Sequence, residues 1–518
     1  MSSITRYAKR LGLYLGIAVL GFLAGAHVLF VLWALNGPPL QPWHEIELAA
    51  EFTADQADQV RTLADYQALE ARLFAELDAR VYAETPRGPE QALVRYSAGS
   101  ASDPRAWTPD WNHSYEIVPP EPRAGVLLLH GMSDGPYSLR ALGEALGQAG
   151  YRVLGLRLPG HGALPSGLLS VTWEDLAAAA RLGMAHLASV MGGKPIHIIG
   201  YSMGAALAVD YSLNVHANAS TTPSPSMTLP LPASLALISP AVGLARIADL
   251  PPWVERLGRI PGLGRLAWTA IMPEFDPFRY NSFTANASLQ VHRMTQDLTT
   301  RLRRLATPGP LTGFPPTLVL LSAVDATVSA QAVADQLLRH LAPEGHELVL
   351  YDINRFALDA PLVVADAGEL TERLLADATL PFAVTFIHNL DADTRQVLAE
   401  RKPPFTAGFT TGTPLDAPWP DEVIALSHIA LPFPPDDPLY GRQPPADPSQ
   451  VFLGQLAIRG ENGVLKLPGN WLLRQRHNPF YDYQQQRILD WFDQYRRGQT
   501  DLDRADQGQP PRHDEGSS

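Results

Sequence analysis

A serine between two glycines is the residue whose type and spacing point most directly to chemistry in this chain. In Ile198–Leu207, "IIGYSMGAAL", Ser202 follows an apolar run and precedes small residues. Gly-x-Ser-x-Gly between a strand and a helix predicts a tight turn whose flanks leave no room for a side chain. The hydroxyl of Ser202 would stand at a helix N-terminus, where N–H groups favour negative charge. We interpret Ser202 as a candidate nucleophile rather than part of a structural glycine-rich loop.

A second motif, "VLLLHGMSDGPYSLRAL", ends a predicted strand at His130 and Gly131 and then enters a helix. When a serine is presented in this way, the N–H of the residue after it and an N–H from a neighbouring strand–helix loop form the oxyanion hole. Met203 and Met132 occupy those two positions. We interpret His130, and His161 in "RLPGHG", as residues that shape their loops by hydrogen bonding.

The elements that must position these residues alternate between short apolar runs and helical stretches. The apolar runs are GVLLLHG, RVLGLRLPG, IHIIGYS, LALISPA, TLVLLSAVD, ELVLYDI, AVTFIH and VIALSH. Continuous apolar strands separated by helices predict a mostly parallel, doubly wound sheet that is covered on both faces. Residues 242–314 lack a clear strand and mix apolar helices with breakers, which predicts a helical lid inserted after LALISPA.

The motifs "LLLHGMSDGPYSLRAL", "RLPGHG" and "GYSMGAAL" resemble those of the α/β-hydrolase family. They are similar in particular to those of monoglyceride lipases, lysophospholipases and serine aminopeptidase-like hydrolases. The resemblance covers roughly Val126 to Val328, and the C-terminal part is atypical. It implies an α/β-hydrolase fold with a Ser–acid–His triad in that chain order.

The resemblance makes Asp325 the expected acid, because "TLVLLSAVDATVSAQAVADQL" resembles the strand and turn that carry this residue in the family. Asp391 is the alternative. The histidine should follow the next strand, but "HELVLYDINRF" ends without one. His428, which ends the predicted strand "VIALSH" and precedes a proline-rich loop, is favoured over His388. If Asp391 were the acid, "TLVLLSAVD" would be an internal strand.

Composition excludes several other classes of site. The chain has 518 residues, a formal net charge of −13 and no cysteine. Negative charge disfavours nucleic-acid binding, and without cysteine neither disulfides nor thiolate metal sites can form. The histidines lack metal-ligand spacing and no phosphate-binding loop motif occurs. We therefore expect neither cofactor nor metal, and the sequence does not determine the oligomeric state.

The N-terminus carries an uncharged apolar run, Leu11–Leu35, long enough to cross a bilayer. Arg6, Lys9 and Arg10 precede it, and the next basic residue after it is Arg61. This asymmetry predicts a single-pass anchor with a cytoplasmic N-terminus and an extracytoplasmic catalytic domain, periplasmic if the source is bacterial. A cleavable signal peptide is the alternative, but apolar residues continue beyond its candidate cleavage site.

The remaining chain divides at changes in pattern. Apolar residues recur at helical spacing from Thr53 to Tyr82, and Thr53 with Gln56 fits a capping box. The expected organisation is an anchor at 1–37, a helical and loop extension at 38–122, a hydrolase domain with its lid at 123–500 and a disordered tail at 501–518.

These features predict a membrane-anchored serine hydrolase that forms an acyl-enzyme. An apolar lid and a membrane anchor favour lipid-like esters, namely monoacylglycerols or lysophospholipids. The same triad cleaves amides, so a peptidase or amidase is the alternative within this chemistry. A transferase, or an inactive membrane-tethered interaction module, remains open as well.

Overall fold

The computed structural model describes the chain in segments separated by short gaps. The described residues are 10, 12–22, 24–26, 38–219, 229–243, 263–357, 368–410, 412–421, 423–454 and 475–506.

The strands and helices alternate along most of the described chain. The strands are β1 Tyr115–Ile117, β2 Ala124–Leu129, β3 Tyr151–Leu156, β4 Ile196–Tyr201, β5 Leu235–Ile238, β6 Trp268–Ala270, β7 Phe283–Thr284, β8 Thr317–Ser322, β9 Glu347–Tyr351, β10 Ala383–Asn389, β11 Val397–Lys402 and β12 Thr413–Leu415. The helices are α1 Pro42–Glu45, α2 Leu63–Leu77, α3 Arg140–Gln148, α4 Trp173–Met191, α5 Met203–Ala219, α6 Ala285–Leu305, α7 Ala330–Gln336, α8 Glu369–Ala376 and α9 Tyr481–Asp506.

A ten-stranded sheet lies at the centre, in the order β1-β3-β2-β4-β5-β8-β9-β10-β11-β12. From β3 to β10 the neighbouring strands pair in parallel. Successive side chains of β2 enter opposite cores: Leu127 and Leu129 pack in one apolar cluster, Val126 and Leu128 in the other. This two-sided burial explains the continuous apolar runs, and it confirms the predicted mostly parallel sheet of an α/β-hydrolase fold.

The edges of the sheet differ from the prediction. The short strand β1 and the strands β11 and β12 were not predicted, and all three pair antiparallel with their neighbours. The predicted strand "VIALSH" is wrong, because its residues, 423–428, form no strand. Asn354 forms hydrogen bonds with two carbonyl groups of this run instead. Its backbone N–H donates to the carbonyl of Ile424 at 2.7 Å, and its side-chain amide donates to that of Val423 at 2.9 Å.

The N-terminal extension is less regular than predicted. Thr53 caps only a single 3₁₀ turn, Ala54–Gln56. The long helix α2 begins at Leu63 and has its own N-cap, Thr62. Residues 12–22 and 24–26 are helical. Within the described residues no helix is long and apolar enough to cross a membrane, and much of the predicted span Leu11–Leu35 lies outside them.

The segment predicted as a helical lid, 242–314, contains strand structure within residues 263–314. Strands β6 and β7 form a two-stranded antiparallel sheet, followed by the long helix α6. Helix α9 continues to Asp506, beyond the expected boundary at residue 500. The boundaries of the extension, lid and tail therefore stay predictions.

Candidate active site

Ser202 occupies a sharp turn between β4 and α5. Its backbone φ is 54°, in the left-handed region that a serine rarely adopts. A Cβ at Gly200 would lie 2.3 Å from the Cα of Ala205, and one at Gly204 would lie 2.0 Å from the carbonyl oxygen of Leu129. Both glycines are therefore required by close backbone packing, as the motif predicts.

Two hydrogen bonds connect Ser202 to a histidine and an aspartate from distant parts of the chain. His428 Nε2 lies 3.0 Å from Ser202 Oγ, and His428 Nδ1 lies 2.8 Å from Asp325 Oδ2. His428 and Asp325 are buried, whereas Ser202 is partly exposed. With the ring proton on Nδ1, the carboxylate accepts it and leaves Nε2 free to accept the serine proton.

Asp325 is held in its ionised form. Its Oδ1 accepts hydrogen bonds from the N–H groups of Thr327 and Val328, at 2.8 and 3.0 Å. Burial by itself would raise the pKa of Asp325, but the charge of a protonated His428 and these hydrogen bonds outweigh it. The pKa of Asp325 consequently lies below its usual value.

A loop, not a strand end, carries His428 to the site. His428 begins a 3₁₀ turn, and the hydroxyl of Tyr201 donates to its carbonyl oxygen at 3.3 Å. Further along this loop, the carboxylate of Asp437 accepts hydrogen bonds from Tyr137 at 3.0 Å and Arg140 at 3.2 Å. These bonds attach the histidine loop to the segment that follows β2.

The two alternatives from the sequence lie elsewhere, at the turn and pairing of β10 and β11. His388 Nε2 lies 3.0 Å from Glu400 Oε2, and its Nδ1 lies 2.7 Å from the carbonyl of Asn389. Asp391 is exposed, and its carboxylate accepts the N–H of Asp393. The described structure does not bring either residue to Ser202.

The two residues expected to form an oxyanion hole flank Ser202, the candidate nucleophile. Met132 follows the end of β2, and Met203 is the first residue of α5; both are buried. A Cβ at Gly131 would lie 3.2 Å from the Cβ of Ser202, so the loop that bears Met132 lies directly against the nucleophile. Two backbone N–H groups at these positions suit a developing negative charge.

The imidazole rings of His130 and His161 form hydrogen bonds with backbone groups of nearby residues. His130 Nε2 accepts the N–H of Leu158 at 3.0 Å, and its Nδ1 lies 2.9 Å from the carbonyl of Gly131. Burial above all, and the charge of nearby groups, hold the pKa of His130 well below its usual value, so the ring stays neutral. His161 Nδ1 lies 2.8 Å from the carbonyl of Pro159.

Sequence reasoning missed two charged residues beside the site. Asp134 is buried in the loop after β2, two residues beyond Met132, and Arg279 lies with its Nε 3.8 Å from Asp134 Oδ1. Asp134 stands within the quoted motif "HGMSDG", which could have drawn attention to it. Arg279 comes from the segment predicted as a lid, and nothing in its surrounding sequence marks it. Among the described residues no cluster of three or more His, Asp or Glu could hold a metal ion.

Comparison with known proteins gives three results. Residues 126–367 match the model of the Alpha/beta hydrolase family. A thermostable monoacylglycerol lipase from Bacillus sp. (strain H-257) is 26% identical over 185 residues, which is 36% of this chain and 67% of the relative.

The third result concerns solved structures. One, of LipS and LipT, two metagenome-derived lipolytic enzymes, has 21% identity and a TM-score of 0.35, and the match covers 46% of this chain and 87% of that chain. The monoacylglycerol lipase of Paleococcus ferrophilus has 18% identity and a TM-score of 0.33, over 46% of this chain and 87% of its own.

Proposed function

We propose that this carboxylic ester hydrolase of the α/β hydrolase family is a membrane-anchored serine hydrolase that cleaves lipid-like esters through Ser202, His428 and Asp325. The observation that carries the proposal is the position of His428, whose two ring nitrogens lie at hydrogen-bond distance from the serine oxygen and the aspartate carboxylate. A nucleophile, its base and the group that orients the base are thereby aligned for acyl transfer.

The reaction proceeds through two displacements. His428 Nε2 accepts the proton of Ser202 as Oγ attacks the carbonyl carbon, and Asp325 stabilises the imidazolium that forms. The tetrahedral intermediate collapses, the bond to the alcohol breaks, and His428 gives its proton to the leaving oxygen. Water then attacks the acyl-enzyme, with His428 accepting its proton. Release of the acid returns that proton to Ser202 Oγ.

The backbone N–H groups of Met132 and Met203 stabilise the negative oxygen of each tetrahedral intermediate. Losing one donor of such a pair typically lowers kcat by about 10²–10³. Because these donors belong to the backbone, a side-chain substitution does not remove them. The buried methionine side chains would act only by shaping the loop and the helix start.

Lipid-like substrates are supported by two observations of different kinds. The Bacillus relative is named as a monoacylglycerol lipase. In this chain the uncharged run Leu11–Leu35 and the basic residues before it would place the enzyme at a bilayer, with the catalytic domain outside the cytoplasm. Monoacylglycerols and lysophospholipids present their ester groups at such a surface. A reporter fused after Leu35 tests the orientation.

Two measurements on the full chain test the chemistry. A fluorophosphonate probe should label Ser202, and Ser202→Ala should abolish labelling. A series of p-nitrophenyl esters from acetate to palmitate should show turnover that rises with chain length, while aminoacyl anilides should turn over slowly. Turnover of anilides alone would replace the lipase assignment by a peptidase or amidase. Absence of labelling would favour an interaction module.

A further inference from the structure

We infer that Asp134 and Arg279 form a subsite for a hydroxyl group on the alcohol part of the ester, so that the substrate is an ester of glycerol or a similar neutral polyol. The inference rests on the proposed function and narrows it. It chooses between the neutral and the phosphate-bearing head groups that the sequence leaves open.

Asp134 lies beside the reacting atoms with its hydrogen-bonding capacity unused. Its Oδ2 would be 2.9 Å from a Cβ at Gly131, and the Cβ of Ser202 would be 3.2 Å from the same point. The residue is only 5% exposed, yet its carboxylate accepts no hydrogen bond from the described residues. Burial raises the pKa of Asp134, and the nearby charges of Arg279 and His428 oppose that effect. A carboxylate that accepts no hydrogen bond from the described residues can accept one from a ligand hydroxyl.

Arg279 is brought to Asp134 by backbone contacts. The N–H of Tyr280 donates to the carbonyl of Ser133 at 2.8 Å, which joins this segment to the loop next to Asp134. The N–H of Arg279 itself donates to Asp276 Oδ1 at 3.1 Å. The side chain is 29% exposed, and its Nε is 3.8 Å from Asp134, beyond hydrogen-bond distance. Within the described part of the chain no hydrogen bond from the Arg279 guanidinium is found, which leaves its donors for a ligand.

The pair offers an acceptor and donors side by side. A hydroxyl group can donate to Asp134 and accept from Arg279 at once, whereas a phosphate can only accept. The two charges offset one another, and Asp276 lies near enough to raise the pKa of Asp134. An anionic head group would thus gain little here. The acyl chain of such an ester carries no hydroxyl group, so a hydroxyl bound by this pair beside Ser202 belongs to the alcohol part.

Selectivity between two esters of one fatty acid tests the inference. We would measure kcat/KM of the full chain for a monoacylglycerol and for the ethyl ester, and take their ratio. Asp134→Asn and Arg279→Gln should each lower this ratio about 10-fold, because each removes a charged hydrogen bond to the head group. Asp391→Asn and Arg395→Gln, in the turn between β10 and β11, serve as controls and should leave the ratio unchanged.

The outcomes separate the subsite from the proposed function. An unchanged ratio in Arg279→Gln, which alters a partly exposed residue and should fold, would overturn the subsite. So would an equal loss for both esters, which indicates a positioning role. Wild-type preference for a lysophosphatidate over the monoacylglycerol would overturn the neutral head group. If the wild type hydrolyses the ethyl ester in any of these cases, the proposed function stands; if it hydrolyses no ester, both fail.

Discussion

The nucleophile side and the histidine side of the site are constructed in different ways. On the nucleophile side, Ser202 and Met203 come from adjacent positions, and the turn is determined by glycines two residues either side of the serine. On the histidine side, His428 is 103 residues from Asp325 and 226 from Ser202 in sequence. The first side depends on local backbone packing, the second on hydrogen bonds between remote segments.

This difference has a physical consequence for how the two sides tolerate change. The turn at Ser202 is enclosed by backbone atoms of β2, so it cannot move without disturbing the sheet. The loop after His428 is held by side chains, chiefly Asp437 with Tyr137 and Arg140. We expect substitutions on the nucleophile side to affect folding and those on the histidine side to affect catalysis.

The largest expected effect distinguishes the two histidines. His428→Ala should lower kcat by about 10⁴–10⁶, because it removes the proposed general base. His388→Ala, which removes a ring paired with Glu400 at the sheet edge, should change kcat by less than about 3-fold. Steady-state kinetics on a short-chain ester measures both. Full activity in His428→Ala would move the base to His388.

The acid provides a similar test. Asp325→Asn should lower kcat by about 10⁴, because an asparagine at this position favours the wrong tautomer of His428. Asp391→Asn alters an exposed turn residue and should have little effect. Comparable losses of kcat in the two variants would contradict the assignment of Asp325 as the acid of the triad.

Gly204→Ala probes the nucleophile side. The added Cβ would lie 2.0 Å from the carbonyl oxygen of Leu129, so the free energy of unfolding should fall by at least about 3 kcal/mol. Gly264→Ala, whose nearest contact would be 3.4 Å away, should cost less than about 1 kcal/mol. Urea denaturation compares the two variants, and equal stabilities would contradict the close packing at the turn.

Asp437→Asn probes the histidine side and should have the smallest effect of the four. Weakening the contacts with Tyr137 and Arg140 should let His428 shift, and kcat should fall about 10–100-fold while KM changes little. The exposed neighbour Asp436→Asn is the matched control. The rate of fluorophosphonate labelling should fall in parallel with kcat. A rise in KM alone would place Asp437 in substrate binding instead.

Much of the central sheet could be predicted because its signals are local. Seven of the eight apolar runs quoted from the sequence correspond to the strands β2, β3, β4, β5, β8, β9 and β10. The run "VIALSH" is as apolar as the others, yet Asn354 binds its carbonyl groups. Whether an apolar run becomes a strand depends on which groups form hydrogen bonds with its backbone. The composition of the run does not predict those partners.

The sequence by itself determined the turn around Ser202 and the parallel sheet beneath it, because glycine spacing and apolar runs act within one strand–turn–helix unit. Only the tertiary structure decided that His428 and Asp325 meet at Ser202, that Asp437 holds the histidine loop and that Arg279 lies beside Asp134. The physical reason is that each of these contacts joins segments far apart in the chain, and no local pattern in one segment specifies which remote segment will pack against it.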